Sequence, residues 1–358
     1  MWDSLSGLRV NRAADWIGAE KYARMSHSCK RETPRVGLLR SGLALLTKVI
    51  SKIRLAFMHG MKSFYETSLG AAYLGDSLSV MAQLPANSVN LVMTSPPFGL
   101  AFKKEYGNVD SDKYVDWFLP FVTAMKRVIK DDGSIVIDIG GAWKKGVPVR
   151  SLYQFKLLIA MCEQVGLHLA QEFYWFRPAA LPAPAEWVGV RRIRVKDAVN
   201  CIWWLSKTEW PKASNRNVLQ PYSKDMIRLL EKGYKSKLRP SGHFVTPKFM
   251  SDHGGAIPPN LLQAGGNESN SHYLKSCQRA GLKPHPARFP REIPEFFIKL
   301  TTEEKDTILD PFAGSNVTGE AAEYCNRRWI AVEVRKDYLE ASKFRFEEPE
   351  LFKAVSSR

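Results

Sequence analysis

Between Thr307 and Glu333 the chain passes through a short apolar run, a turn of small residues, a helix-compatible stretch and a second apolar run closed by a carboxylate. Thr307-Ile308-Leu309 reads as a buried strand and Asp310-Pro311-Phe312-Ala313-Gly314-Ser315-Asn316 as a tight turn. Residues from Val317 to about Cys325 suit a helix, and Trp329-Ile330-Ala331-Val332-Glu333 a second strand. Strand, small-residue turn, helix, strand and acid is the layout of an α/β unit that holds a nucleotide-like cofactor. Glycine lets the backbone approach the ligand, and an acid after the second strand binds ribose hydroxyls. Glu333 stands 23 residues after Asp310, close to the roughly 20 expected for such an acid. The turn lacks G-x-G-x-x-G, so it is no pyrophosphate cradle. A cofactor with a ribose and no phosphate fits it. Asn316 stands where a second glycine would be easiest to place, and asparagine tolerates left-handed backbone better than most residues.

Far upstream, the apolar run Val89-Asn90-Leu91-Val92-Met93 ends in Thr94-Ser95-Pro96-Pro97-Phe98. Proline fixes φ and removes a backbone donor, so Pro96-Pro97 makes a stiff turn with free carbonyl acceptors. A serine beside those carbonyls can hold an amino group by its hydrogens, and Phe98 offers a flat face to stack on. That suits a planar amine such as a nucleobase.

Further strands are predicted near 72–74, 134–139, 171–176 and 199–205, and helices over 113–129, 152–165, 291–300 and 337–346. Tyr114, Trp117, Phe121 and Met125 recur at helical spacing, as a core-facing stripe does. Alternating strands and helices predict an α/β, doubly wound sheet. Ligands then collect at the carboxyl ends of the strands, where Asp76, Ser95, Asp310 and Glu333 all fall.

The two motifs, in this order, resemble those of amino-group DNA methyltransferases, and more narrowly the cytosine-N4 enzymes of bacterial restriction-modification systems. The resemblance covers about Met61 to Glu347 and includes Gly75-Asp76-Ser77, Ala183-Pro184-Ala185-Glu186-Trp187, Arg191-Arg192-Ile193-Arg194, Trp203 to Thr208 and His285-Pro286-Ala287-Arg288-Phe289-Pro290. It implies an S-adenosylmethionine-dependent methyltransferase sheet, circularly permuted in the β-group order, with a recognition region between catalytic and cofactor motifs. The implied catalytic residues are Ser95, Pro96, Pro97 and Phe98. The implied cofactor site comprises Asp76, Thr94, His285, Pro286, Ala287, Asp310, Phe312, Ala313, Gly314, Ser315, Asn316 and Glu333, with no metal. Phe98 would stack on a flipped base, while Ser95 and the Pro96 carbonyl accept hydrogen bonds from its amine. Serine before Pro-Pro implies cytosine, with adenine-N6 the alternative. Glutamine methylation on proteins uses Asn-Pro-Pro and is disfavoured, and a non-catalytic DNA-binding protein would have damaged motifs. The resemblance also implies duplex DNA as partner, a cognate restriction endonuclease as functional counterpart, and a bacterial cytoplasmic, nucleoid-associated setting.

A formal net charge of +16 favours an anionic partner. Residues 208–284 hold 12 Lys and Arg against 5 Asp and Glu in glycine- and serine-rich sequence, as expected of a target-recognition region. It separates a catalytic half at 58–207 from a cofactor half at 285–350. The loop Lys103-Lys104-Glu105-Tyr106-Gly107-Asn108 is placed to close over the site and touch DNA. Five scattered cysteines without C-x-x-C support neither a disulfide framework nor zinc. None follows a proline, which the resemblance turns into an argument against cytosine-C5 chemistry. Residues 1–57 are basic, 11 Lys and Arg against 4 Asp and Glu, and read as an upstream extension with Met58 or Met61 as start, or as an accessory arm on DNA. Arg40, Lys48, Lys52 and Arg54 break its apolar stretch, so no simple membrane span is expected.

Overall fold

A computed structural model of the chain describes residues 61–100, 102, 104–105, 107–233, 251–266 and 271–347. The basic segment 1–57, Lys103 and Tyr106 lie outside the described residues. Nine strands form one sheet: β1 (Tyr65–Glu66), β2 (Gly70–Leu74), β3 (Val89–Thr94), β4 (Ile129–Ile139), β5 (His168–Phe176), β6 (Val199–Ser206), β7 (Leu261–Gln263), β8 (Thr307–Asp310) and β9 (Arg328–Glu333). Their order is β1-β2-β9-β8-β3-β4-β6-β5-β7. The five from β2 to β4 are parallel; on the far side β6 runs antiparallel to its neighbours β4 and β5, and β7 pairs parallel with β5. The expected doubly wound sheet is present, with a mixed far edge.

Parallel strands covered on both faces are apolar throughout, as in β3, where all six residues are buried. Alternate side chains divide between two cores. Val89 and Val92 face helices α1 (Ser77–Gln83), α2 (Tyr114–Val128) and α3 (Tyr153–Glu163). Leu91 and Met93 face the opposite layer, which includes the later helices α6 (Glu292–Thr301) and α7 (Val317–Tyr324). Between these layers in sequence come α4 (Lys224–Lys232) and α5 (His272–Arg279), and α8 (Lys336–Ser342) follows β9. Tyr114, Phe121 and Met125 are buried core, as their spacing predicts.

What positions the site is the register. Leu91 and Val92 of β3 lie beside Ile308 and Leu309 of β8, while Thr94 lies beside Ile137 of β4. From β8 the chain crosses to β9, and from β3 it crosses the other way to β4, so the winding reverses between β3 and β8. Ligands bind at such switch points in open α/β sheets. Both motifs emerge there.

Candidate active site

A side-chain bond joins the two motifs. Thr94 Oγ1 donates to Asp310 Oδ1 at 2.7 Å, and Thr318 Oγ1 to Asp310 Oδ2 at 2.6 Å. The Phe312 amide also donates to Asp310 Oδ1 at 3.0 Å. Asp310 is buried, which pushes its pKa up to about 6 against the hydrogen bonds that favour its charged form. With its oxygens occupied, Asp310 shapes the turn and pins it to β3.

Ser95, next in the chain, donates to Asp138 Oδ2 at 2.9 Å. Asp138 ends the apolar run of β4, and its other oxygen accepts from Asn200 Nδ2 of β6 at 3.1 Å. Burial raises the Asp138 pKa to about 6, opposed by the bonds from Asn200 and Ser95 and by the charge of Arg177. Neither Asp138 nor Asn200 was among the residues expected from sequence. The available signal was a lone carboxylate at the end of Ser134-Ile135-Val136-Ile137-Asp138-Ile139, where only apolar side chains belong.

Phe98 is half-buried, and its ring lies so close to Gly140 that a Cβ there would meet it at 2.5 Å. Glycine at 140 therefore seats the aromatic beside Ser95. Pro96 is buried and Pro97 partly so.

On the other side of the switch point, the ends of β2, β8 and β9 converge. The Gly75 amide donates to the Glu333 carbonyl at 3.0 Å, Ala313 N to Val332 O at 3.0 Å, and Ser77 Oγ bonds the Pro311 carbonyl. Glu333 reaches back, its Oε2 accepting from Gly314 N at 2.8 Å and its Oε1 from Arg335 N at 2.9 Å. Burial raises its pKa. Asp76 is exposed and caps α1 through Ser79 N at 2.9 Å. Gly314 has φ +52°, and a Cβ there would sit 3.2 Å from the His285 imidazole. His285 thus packs on the turn, edge-on to Tyr338, and burial lowers its pKa to about 4. Pro286 and Ala287 follow it at the surface.

The side chains of Asn316 and Ser315, both in the expected cofactor set, are also bonded within the protein. Asn316 is fully buried with φ +57°, its Oδ1 capping α7 at Gly319 N (3.0 Å) and its Nδ2 donating to Tyr65 (2.9 Å). Ser315 is buried, with Oγ and carbonyl both accepting from Arg345. They build the turn. Asn316→Ala is expected to cost about 2 kcal/mol, from left-handed strain and the lost cap. Asn316→Gly, which keeps the backbone, should cost roughly half that. Urea unfolding of both variants checks the ranking.

Glu105 pairs with Lys283, and its carbonyl accepts from Arg335 Nη1 at 3.1 Å. It links the Ser95 side to the segments flanking His285 and Glu333. Among the described residues no group of His, Cys, Asp and Glu could hold a metal ion.

The DNA methylase family model matches residues 89–344, spanning both motifs and the switch point between them. The type II methyltransferase M.PvuII of Proteus hauseri is 54% identical over 290 residues, covering 80% of this chain and 86% of that protein. This chain belongs to the DNA methylase family. A solved structure described as PvuII DNA methyltransferase (cytosine-N4-specific) superposes with a TM-score of 0.67 at 46% identity, over 83% of this chain and 95% of that one. The type II methyltransferase M.BglII of Bacillus subtilis is more distant, 27% identical over 79% of this chain and 70% of its own length.

Proposed function

We propose that this protein transfers a methyl group from S-adenosylmethionine to N4 of a cytosine swung out of duplex DNA at a specific site. The observation that carries this reading is Ser95, poised on a buried carboxylate at the switch point, in a chain so similar to a cytosine-N4 enzyme. The cofactor fits the residues present. In a protein of net charge +16, this edge gathers Asp76, Asp138, Asp310 and Glu333, and the turn 310–316 has no lysine or arginine to hold phosphate. An acidic edge with a carboxylate at the β9 end suits a cationic, ribose-bearing ligand. Glu333 would hold the ribose hydroxyls and Asp76 the adenine side. The backbone of 312–314, with His285-Pro286-Ala287 beside it, would hold the remainder, and Thr94 and Asp310 keep the turn in register. When bound, S-adenosylmethionine supplies a methyl group activated on a sulfonium.

A cytosine amine is a poor nucleophile because its lone pair is delocalised into the ring, and it is unreachable inside a duplex. Phe98, seated on Gly140, stacks on the extruded base. Because Ser95 donates its hydroxyl hydrogen bond to Asp138, its oxygen presents lone pairs and accepts one amine hydrogen. The Pro96 carbonyl accepts the other. Holding both hydrogens turns the nitrogen lone pair toward the methyl carbon, a gain from positioning. Once methylated, the amine would carry one proton too many. That proton passes to Ser95 Oγ while the serine proton moves to Asp138, whose raised pKa suits it to hold a proton.

Protection of host DNA against a cognate restriction endonuclease in a bacterial cytoplasm completes this reading. Among the described residues no helix is long and apolar enough to cross a membrane. DNA affinity should fall about 10³-fold or more between 50 and 200 mM salt, the loss for six or more phosphate contacts, as fluorescence anisotropy would record. The test of the function is a methylome. Genomic DNA from cells expressing the chain should carry N4-methylcytosine at one short motif, absent with Ser95→Ala. N6-methyladenine at a motif would overturn the choice of base.

A further inference from the structure

The β5–β6 connection, residues 177–198, leaves the sheet at the same edge as the site, since Phe176 pairs with Val199 and Ile139 with Cys201. Asn200, which holds Asp138, lies just beyond its end. This excursion is ordered by its own bonds. Arg177 N donates to Ala198 O at 2.8 Å, Asp197 N to Ala183 O at 3.1 Å, and Ile193 N to Trp187 O at 2.9 Å. Asp197 ties its base to Arg150 and to Trp143 Nε1 (3.2 Å), on the segment that follows Gly140.

A loop so tied would be expected to bury its apolar side chains. Instead Leu181 is 81% exposed and Val195 87%. The two limbs of the loop that carry them run together: Asp197 N bonds Ala183 O, and Lys196 Nζ reaches across to the carbonyls of Pro178 (3.0 Å) and Ala180 (3.2 Å). Around them stand Arg191, Arg192, Arg194 and Lys196, all exposed. Exposed apolar groups on a rigid, basic loop fit a partner that is anionic outside and apolar within. Stacked bases behind a phosphate backbone have that character, and apolar wedges enter base steps in this way.

Resting on the function proposed above, we infer that Leu181 and Val195 form a wedge that enters the duplex beside the target and fills the stack the cytosine vacates. The basic residues of the same loop grip the flanking phosphates. The wedge stabilises the extruded state and takes no part in methyl transfer, so a target already unpaired does not need it.

The test uses the full-length protein and its own site, first located by sequencing methylated genomic DNA. Two duplexes carry that site, one fully paired and one with the target cytosine opposite an abasic position. Single-turnover methylation is measured for wild type and for Leu181→Ala with Val195→Ala, alongside Leu181→Met with Val195→Ile. The alanine pair should lose about ten-fold or more on the paired duplex, and stay within about two-fold of wild type on the abasic one. The conservative pair should resemble wild type on both. Equal loss on both duplexes, or no loss on either, overturns the wedge. Failure of wild type to methylate either duplex overturns the underlying function instead.

Discussion

Asp138→Asn is expected to lower kcat by about 10²- to 10⁴-fold, the range for a group that takes a proton in the transition state. Cofactor affinity, read by calorimetry, should stay near that of wild type, because Asp138 contacts Ser95 and Asn200 and lies across the switch point from Glu333. Ser95→Ala should produce a similar loss, and the double variant little more, since the two act as one relay. The pH profile separates this role from a structural one. Asp138 has its pKa raised to about 6, so kcat should fall as pH drops through about 6. Asp310, also raised to about 6, should make its contribution in cofactor KM. Stability moves oppositely. A carboxyl whose pKa is higher folded than unfolded is destabilising wherever both states are ionised, and the penalty fades as pH falls through the folded value. Asp138→Asn should therefore be more stable than wild type by up to ~3 kcal/mol at pH 7, with the gap shrinking toward pH 4. A variant with normal kcat, or one that simply unfolds, would contradict the relay.

Glu333→Ala should cost about 10- to 100-fold in cofactor affinity, as expected for loss of charge-assisted bonds to ribose hydroxyls, with kcat at saturating cofactor changed only a few-fold. Part of that cost is local, because Glu333 also holds the amides of Gly314 and Arg335. Glu333→Gln keeps an acceptor for Gly314 and loses the charge, so it should fall between the two. Titration calorimetry on all three proteins gives the order. Unchanged affinity in Glu333→Ala would place the ribose elsewhere.

The strands and the edge on which the site sits were legible because long apolar runs have few alternatives. All seven strands read from sequence are present, and the helix at 114–128 differs from its expected span by one residue at each end. The left-handed asparagine at 316 behaved as its side chain allows. What escaped were elements with little apolar signal. Strand β1 has two residues and β7 three, and α4 buries none of its own. Asp138 lies inside β4, where the sequence marks it only as a lone carboxylate. Its meaning arises only when β6 brings Asn200 to one oxygen and the turn after β3 brings Ser95 to the other. The way Ser315 and Asn316 brace the turn was illegible for a similar reason. A motif marks a turn, and only the tertiary bonds show that Ser315 and Asn316 spend their side chains holding it together.

The most direct measurement is transfer of labelled methyl from S-adenosylmethionine to duplex DNA, followed by nucleoside mass spectrometry, with wild type and Ser95→Ala in parallel. The account predicts N4-methylcytosine as the labelled nucleoside, and its loss in the variant. Label in N6-methyladenine, or cofactor binding with no label in DNA, would contradict it.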